Sequence, residues 1–554
     1  MTRSGGQLLA DQLVLHGVDL AFGVPGESYI GLLDGLYAHR DRLRLITARH
    51  EGGAANMAEA SGKLTGRPGI CLVTRGPGAT HASVGVHTAF QDSTPMILFV
   101  GQVAREQRDR EAFQEVDLRA FFKPLAKQVF EIDDAARIPE LISRAFHVAT
   151  SGRPGPVVIG LPEDMQRDET DAPDAAPFKP AIPRADAAAI GALRELLEEA
   201  ERPLIVAGGS LWSQAAADAL RDFAESSELP VVCSFRRQDH LDNDSPAYVG
   251  DLGLGVAPHL TEALRTSDLV VVLGGRFGEV PSGAYRHLTV PRSDSCRLVH
   301  VHASPDELNL VYEADLAIVA SAPSVVDGLA AGGPLAPSQA RAAYARDLRS
   351  RFERWTTPEP RDVDGVDLAS VVVHLRDALP PDAVITNGAG NYTVWVHRYH
   401  RHRRYGVQLA PTSGAMGYGI PAAIAAKAVH PDRPAIAFAG DGCFMMACQE
   451  LATAVQFDLP IVVVLADNGM LGTIRMHQER SFPGRVSGTS LQNPDFVALA
   501  RSFGCHAEQV TDDAGFPPAL ARALAAGRPA LLHLVCDPRA ITPATTLDAL
   551  GGKS

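Results

Sequence analysis

The chain has 554 residues, 46% hydrophobic and 21% charged, as expected of a globular protein with large cores and length for about three or four domains. Its formal net charge is −14 and no basic run exceeds the short stretch His400–Arg404, which argues against nucleic acid as a partner. No uninterrupted apolar segment reaches the roughly 18 residues of a membrane span. The seven cysteines (Cys71, Cys233, Cys296, Cys443, Cys448, Cys505, Cys536) stand singly, without CxxC or zinc spacing, so buried, reduced thiols in the cytoplasm are expected.

The opening stretch, MTRSGGQLLADQLVLHGV, has helical spacing with Ser4 as a candidate cap, and it lacks the apolar core of a secretory signal. Four apolar runs follow: LRLIT, GICLVT, PMILFV and GPVVIGLP. They are short, β-rich and do not alternate, which predicts buried parallel strands. A Pro-, Ala- and Asp-rich stretch at 167–188 closes this segment. The second segment carries RPLIVAGG, LPVVCS, LVVVLGG and RLVHVHA. Its GDLGLG run (250–255) does not directly follow a predicted strand, so it fails the context test for a dinucleotide turn. A second composition shift, between 332 and 365, leads to DAVITNGAG, AIAFAGDG, IVVVLADN and ALLHLV. Strands alternating with amphipathic helices predict an α/β fold of three doubly wound parallel-sheet domains, at residues 1–170, 186–335 and 360–545.

The third segment holds the most specific pattern. The run AIAFA (435–439) ends in Gly440-Asp441-Gly442, and IVVVLA (461–466) ends in Asp467-Asn468. CFMMACQELATAVQFD between them predicts one crossover helix. Asp441 and Asn468 then fall at the carboxyl ends of neighbouring strands, where α/β sheets bind ligands. The glycines admit close backbone approach to an anion, and a helix start after Gly442 favours phosphate. The two oxygen ligands suit Mg²⁺ shared with phosphate groups.

This unit resembles the fingerprint of the thiamine-diphosphate (ThDP) enzymes, with Asp-Asn where the family usually has Asn-Asn. The resemblance implies ThDP and Mg²⁺ as cofactors, with Asp441, Asn468 and the Met470 carbonyl as metal ligands. It further implies cofactor contacts at Gly440, Gly442, Cys443, Asn468, Met470 and Leu471, and at Gly390, Asn391 and Tyr392 in the turn GAGNY. GAMGYGIPAA (414–423) resembles the stretch that backs the cofactor, with Gly414 beside it and Met416 as the bulky residue that bends it. FGVPGES, ARHEGGAANMAEA and VTRGPGATHASVG resemble the pyrimidine-binding domain. By that resemblance Glu51 is the catalytic glutamate bonding N1′ of the aminopyrimidine. The central segment is then the middle domain, and the third the diphosphate-binding domain. In this family the two halves of one site come from two chains, so a homodimer or homotetramer is implied.

FGVPGE, AFQEVD (112–117), Lys127 and LGTIRMHQE (471–479) resemble the acetohydroxyacid/acetolactate synthase branch. That resemblance places Phe113 and Gln114 at the mouth of the site, and makes Lys127 a positive charge favouring anionic 2-oxo acids. The implied reaction is decarboxylation of a pyruvate-like 2-oxo acid followed by carboligation to a second carbonyl. The alternatives are a 2-oxo acid decarboxylase or aldehyde lyase with another substrate, oxidation through bound flavin, or a non-catalytic protein of the same fold. His477 stands where biosynthetic members have Trp, which leaves the acceptor open. GGRF (274–277) resembles part of an FAD-binding pattern, but Gly278-Glu279 replaces the acidic pair that usually follows. FAD is therefore an open question, with a purely structural platform as the other reading. The tail ITPATTLDAL could close over the site.

Overall fold

Each apolar run named above forms a parallel strand in the computed structural model of the chain, which describes residues 2–292 and 295–551. The strands build three six-stranded parallel sheets. Across the first sheet they run Arg44–Thr47, Leu20–Gly23, Gly69–Val73, Met96–Gln102, Pro156–Pro162 and Gln128–Glu131. Across the third they run Gln408–Leu409, Val384–Asn387, Ala435–Gly440, Val462–Asp467, Ala530–Val535 and His506–Val510. These two sheets share one winding order. The central sheet differs: Tyr248–Leu252, Val231–Ser234, Pro203–Ala207, Leu269–Leu273, Arg297–His302 and Leu316–Val319. Its order is that of a doubly wound dinucleotide-binding sheet.

Helices cover both faces of each sheet, as parallel sheets require. Separate apolar clusters fill the two sides of the central sheet. One cluster is shared between the first and third sheets. There the helix Glu51–Thr65 packs on the helix Gly419–Val429. Ala54, Ala55 and Ala58 of the first and Ala422, Ala423 and Ala426 of the second are all buried in this cluster, and such small side chains allow close packing. Among the described residues no helix is long and apolar enough to cross a membrane, and all seven cysteines are unpaired.

Ser4 caps the first helix. Its Oγ accepts from the Gln7 N–H while the Gln7 side chain accepts from the Ser4 N–H, a reciprocal cap worth about 1 kcal/mol. Two expectations need correction. The single crossover helix after the GDG turn is two short helices, Asp441–Met445 and Glu450–Gln456, the first beginning at Asp441 itself. Tight turns interrupt them, with the Ala447 N–H on Phe444 and the Glu450 N–H on Ala447. The break carries Glu450 under the first domain, where its fully buried carboxylate accepts the Arg49 N–H at 3.2 Å. The GDLGLG run is not a loop lacking a strand: its first three residues lie in the edge strand Tyr248–Leu252.

Candidate functional site

In the third sheet the winding reverses between the strands Val384–Asn387 and Ala435–Gly440. A reversal leaves a crevice beyond the strand ends. A cavity of about 900 Å³ opens there. It is lined by Gly390, Asn391 and Tyr392, by Gly414 and Met416, by Gly440, Asp441, Gly442 and Cys443, and by Asn468, Met470 and Leu471. Every site residue predicted in the third segment therefore meets in one cavity.

The turns are tied together from below. The Gly388 N–H donates to the Tyr392 hydroxyl at 3.1 Å, which donates to Cys443 Sγ at 3.4 Å, and the Gly417 N–H donates to the same sulfur at 3.1 Å. A side chain at Gly440 would come within 3.1 Å of the Tyr392 ring. A Cβ at Gly442 would lie 2.7 Å from Leu471 and 3.7 Å from Met416. Both glycines thus keep the floor open to a ligand's approach.

Asp441 is 3% exposed. Burial pushes its carboxyl up to about 6, assisted by the nearby Asp467, while Asn493 and the Gly442 N–H pull the other way. Asn493 Nδ2 donates to Asp441 Oδ2 and Asp467 Oδ1, both at 2.8 Å. Asp467 also accepts from the Gly469 N–H at 3.0 Å and bonds His533 Nε2 at 2.9 Å. The Asp that replaces the usual Asn is therefore fully engaged. Gly469, at φ +66°, turns the chain immediately after Asn468, and Leu471 and Leu491 pair this turn with the loop at 489–491. The oxygen donors of Asp441 and Asn468 in a buried, negatively charged corner fit a hard divalent cation, which would favour the ionised carboxylate.

Arg236, Arg398 and Arg480 also line the cavity, adding positive charge suited to anionic groups, and so does His477. The hairpin Ala540–Thr542 with Thr545–Thr546 lines it as well, so the tail does lie against the site. The sequence reading missed Asn493 and Arg236, which lie outside helices and strands, and His533, Arg398 and Arg480, which lie in a strand and two helices where spacing alone does not mark them as facing the site.

The first-domain residues gather elsewhere. Glu51 starts the helix Glu51–Thr65, with a side chain 14% exposed and its Oε2 on His81 Nδ1 at 2.9 Å. The GPGAT stretch is not a loop but opens the helix Gly76–Asp92, and its Gly78 lies beside Oε1 of Glu51, where a Cβ would be 3.6 Å away. The Gln114 carbonyl accepts the Gly76 N–H at 2.9 Å, and the Phe113 carbonyl accepts from Arg75 at 3.3 Å. Phe113 is 73% exposed and Gln114 sits at φ +64°. Glu51, Phe113 and Gln114 thus flank the same helix start but do not line the 900 Å³ cavity of their own chain.

Lys127 requires a correction. Its ammonium donates to the Val148 and Ser151 carbonyls at 2.6 and 2.8 Å, closing the end of the helix Ile138–Thr150. Burial, with help from Arg153, lowers its pKa to about 8. Its donors serve free carbonyls at a helix C-terminus, so within its own chain Lys127 closes a helix end.

The central sheet has its own reversal, between Pro203–Ala207 and Leu269–Leu273. A second cavity, of about 350 Å³, lies there, walled by Gly209, Gly274, Arg276, Gly278, Glu279 and His302 among others. A Cβ at Gly209 would meet the Gly274 carbonyl at 1.8 Å, so only glycine lets these two turns close on each other.

Family models match all three domains. The N-terminal TPP-binding domain of thiamine pyrophosphate enzymes matches residues 3–121, their central domain residues 190–329, and their C-terminal TPP-binding domain residues 388–534. The chain is 33% identical over 550 residues to the acetolactate synthase large subunit of Parasynechococcus marenigrum, covering 96% of this chain and 87% of that protein. It is 31% identical over 539 residues to the acetolactate synthase isozyme 2 large subunit of Escherichia coli, covering 96% of each. A probable acetolactate synthase large subunit of Methanocaldococcus jannaschii is 31% identical over 561 residues, covering 97% of this chain and 93% of that protein.

Proposed function

Because the chain belongs to the thiamine pyrophosphate enzymes, in their acetolactate synthase large-subunit branch, we propose that it decarboxylates a pyruvate-like 2-oxo acid and joins the retained fragment to a second carbonyl compound. The observation that carries this reading is the convergence of Asp441, Asn468, Met470, Met416 and the Gly390–Tyr392 turn on one cavity. Bound ThDP supplies the electron sink that decarboxylation needs. Asp441, Asn468 and the Met470 carbonyl would hold Mg²⁺, and Met416 would pack against the cofactor. Glu51 would be the carboxyl that bonds the cofactor's aminopyrimidine ring, and Phe113 and Gln114 would lie at the mouth of the site. The separation of Glu51 from its own chain's cavity supports a homodimer in which each site joins two chains. His477 and Arg480 are the candidate readers of the acceptor. The unpaired cysteines support a reducing, cytoplasmic setting.

The central crevice supports a second ligand. Its strand order and its glycine pair at the reversal suit a dinucleotide such as FAD. A flavin absorbance spectrum of the purified protein, or a flavin requirement in the assay, tests this; a colourless protein indifferent to FAD rejects it.

The test of the main reading combines product identification with two variants. Pyruvate with ThDP and Mg²⁺ should yield carbon dioxide and acetolactate; release of free aldehyde alone would reject carboligation. Glu51→Gln should retain ThDP but suppress proton exchange at its C2 atom. Asp441→Ala should abolish Mg²⁺-dependent ThDP binding, and unchanged affinity would reject the metal assignment.

A further inference from the structure

Glu51 belongs to a cluster that the proposed reaction does not account for. His50, Glu51 and His81 bring their ligand atoms within 4.8 Å of one another. The two imidazole rings stack, with centroids 4.6 Å apart and planes 28° from parallel. His50 Nδ1 accepts the Gly52 N–H at 3.0 Å, capping the helix that Glu51 begins.

Three donors of this kind invite a transition-metal site, but the geometry opposes one. Stacked rings point their in-plane lone pairs along each other rather than toward a common centre. His50 Nδ1 is already committed to Gly52, which fixes the proton of the neutral ring on Nε2.

The same facts fit another role. Glu51 Oε2 is taken by His81 Nδ1 at 2.9 Å. Oε1 has no hydrogen bond among the described residues and lies over Gly78, where no side chain intervenes. The groups facing Glu51 are His50, His81, the Tyr29 hydroxyl and the Cys71 thiol. Burial, with Glu51's own charge, holds Tyr29 and Cys71 protonated and neutral. Burial and then His81 hold His50 neutral, against the pull of Glu51. His81 alone is half exposed, with a side chain 51% open to solvent. It is stacked on the fixed His50 ring, so its own orientation is held.

Resting on the proposed role of Glu51, we propose that His81 is a positioning residue for it. The imidazole N–H holds Oε2, so that Oε1 presents over Gly78 to the ring nitrogen of the cofactor, and the half-exposed ring links the carboxyl to solvent. His81 touches no reacting atom.

Two measurements test this. In the apo protein, nitrogen-15 imidazole spectra should show a proton on His81 Nδ1, hydrogen-bonded to a carboxylate; an Nδ1 without a proton would overturn the proposal without any variant. With ThDP and Mg²⁺ bound, His81→Ala should slow C2 proton exchange about tenfold, as expected for losing a charge-assisted hydrogen bond, while ThDP affinity changes less than about threefold. His81→Asn, whose amide can still donate to Oε2, should recover most of the rate. Wild-type rate in His81→Ala would overturn the proposal. So would a loss of ThDP affinity as large as the loss of rate, since that marks a merely structural residue. Wild-type exchange in Glu51→Gln would instead sink the reading on which this one stands, so the two failures are distinguishable.

Discussion

At the residue scale, the least expected feature is the amide that joins two carboxylates. Asn493 donates both its amide hydrogens at 2.8 Å, one to Asp441 and one to Asp467. Removing it leaves two acidic groups facing each other with nothing between them, one of them the candidate Mg²⁺ ligand. Groups that orient a metal ligand typically change metal affinity by about 10- to 100-fold when lost. Asn493→Ala should therefore weaken Mg²⁺-dependent ThDP binding by at least about tenfold, measured by fluorescence titration, with the melting temperature of the apo protein little changed. Unchanged affinity would make the amide a bystander. The contrast with its neighbours is instructive about sequence. Asp441 and Asn468 were legible because each ends an apolar run, so the strand fixes where the side chain points. Asn493 sits in a loop that only tertiary pairing with residues 469–471 brings beneath the site. Lys127 misled for the opposite reason: a charge after an apolar stretch can as well close a helix end, and spacing does not distinguish the two.

At the scale of elements, the inner strands were legible because burial on both faces demands unbroken apolar runs. Five of the strands the sequence reading passed over are sheet edges: Gln128–Glu131, Tyr248–Leu252, Leu316–Val319, Gln408–Leu409 and His506–Val510. An edge needs fewer apolar residues, and HAEQV or QVFE says little without its neighbour. The sixth, Leu20–Gly23, is inner but only four residues long. Equally invisible was the joint between the central and third domains. There the buried Asp239 accepts three successive backbone N–H groups, of Gly406, Val407 and Gln408, at 3.0 to 3.2 Å. Burial alone would raise its pKa, but His240 and these donors bring it down to about 2. A carboxyl with a depressed folded pKa stabilises the fold fully above its unfolded pKa of about 4, and loses that contribution as pH falls through the folded value. Asp239→Asn, which keeps one acceptor oxygen but not the charge, should cost roughly 1–3 kcal/mol. The deficit in unfolding free energy should be equal at pH 5 and pH 8 and shrink only below about pH 4. A deficit that stays constant as pH falls below 4 would show that the Asp239 charge contributes none of it.

The whole molecule is the scale at which the site is complete. Every described residue lining the 900 Å³ cavity comes from Phe235 or later in the chain, yet the proposed proton-exchanging carboxylate is at position 51. Within one chain the first domain is locked in place: the helix that Glu51 begins packs on Gly419–Val429, and Glu450 grips the Arg49 N–H. A hinge that swings Glu51 into its own cavity would have to break this shared core. Two chains related by a twofold axis solve the problem without motion, since each first domain can meet the other chain's cavity and the two sites form together. The prediction is a complementation. Glu51→Gln and Asp441→Ala chains are each inactive alone. Unfolded gently, mixed in equal amounts and refolded, about half should pair as hybrids, each with one intact site and one doubly defective site, so the mixture should recover about a quarter of wild-type activity. If each chain instead assembles its own site, every site in the mixture carries one of the two lesions and the mixture stays as inactive as its parents.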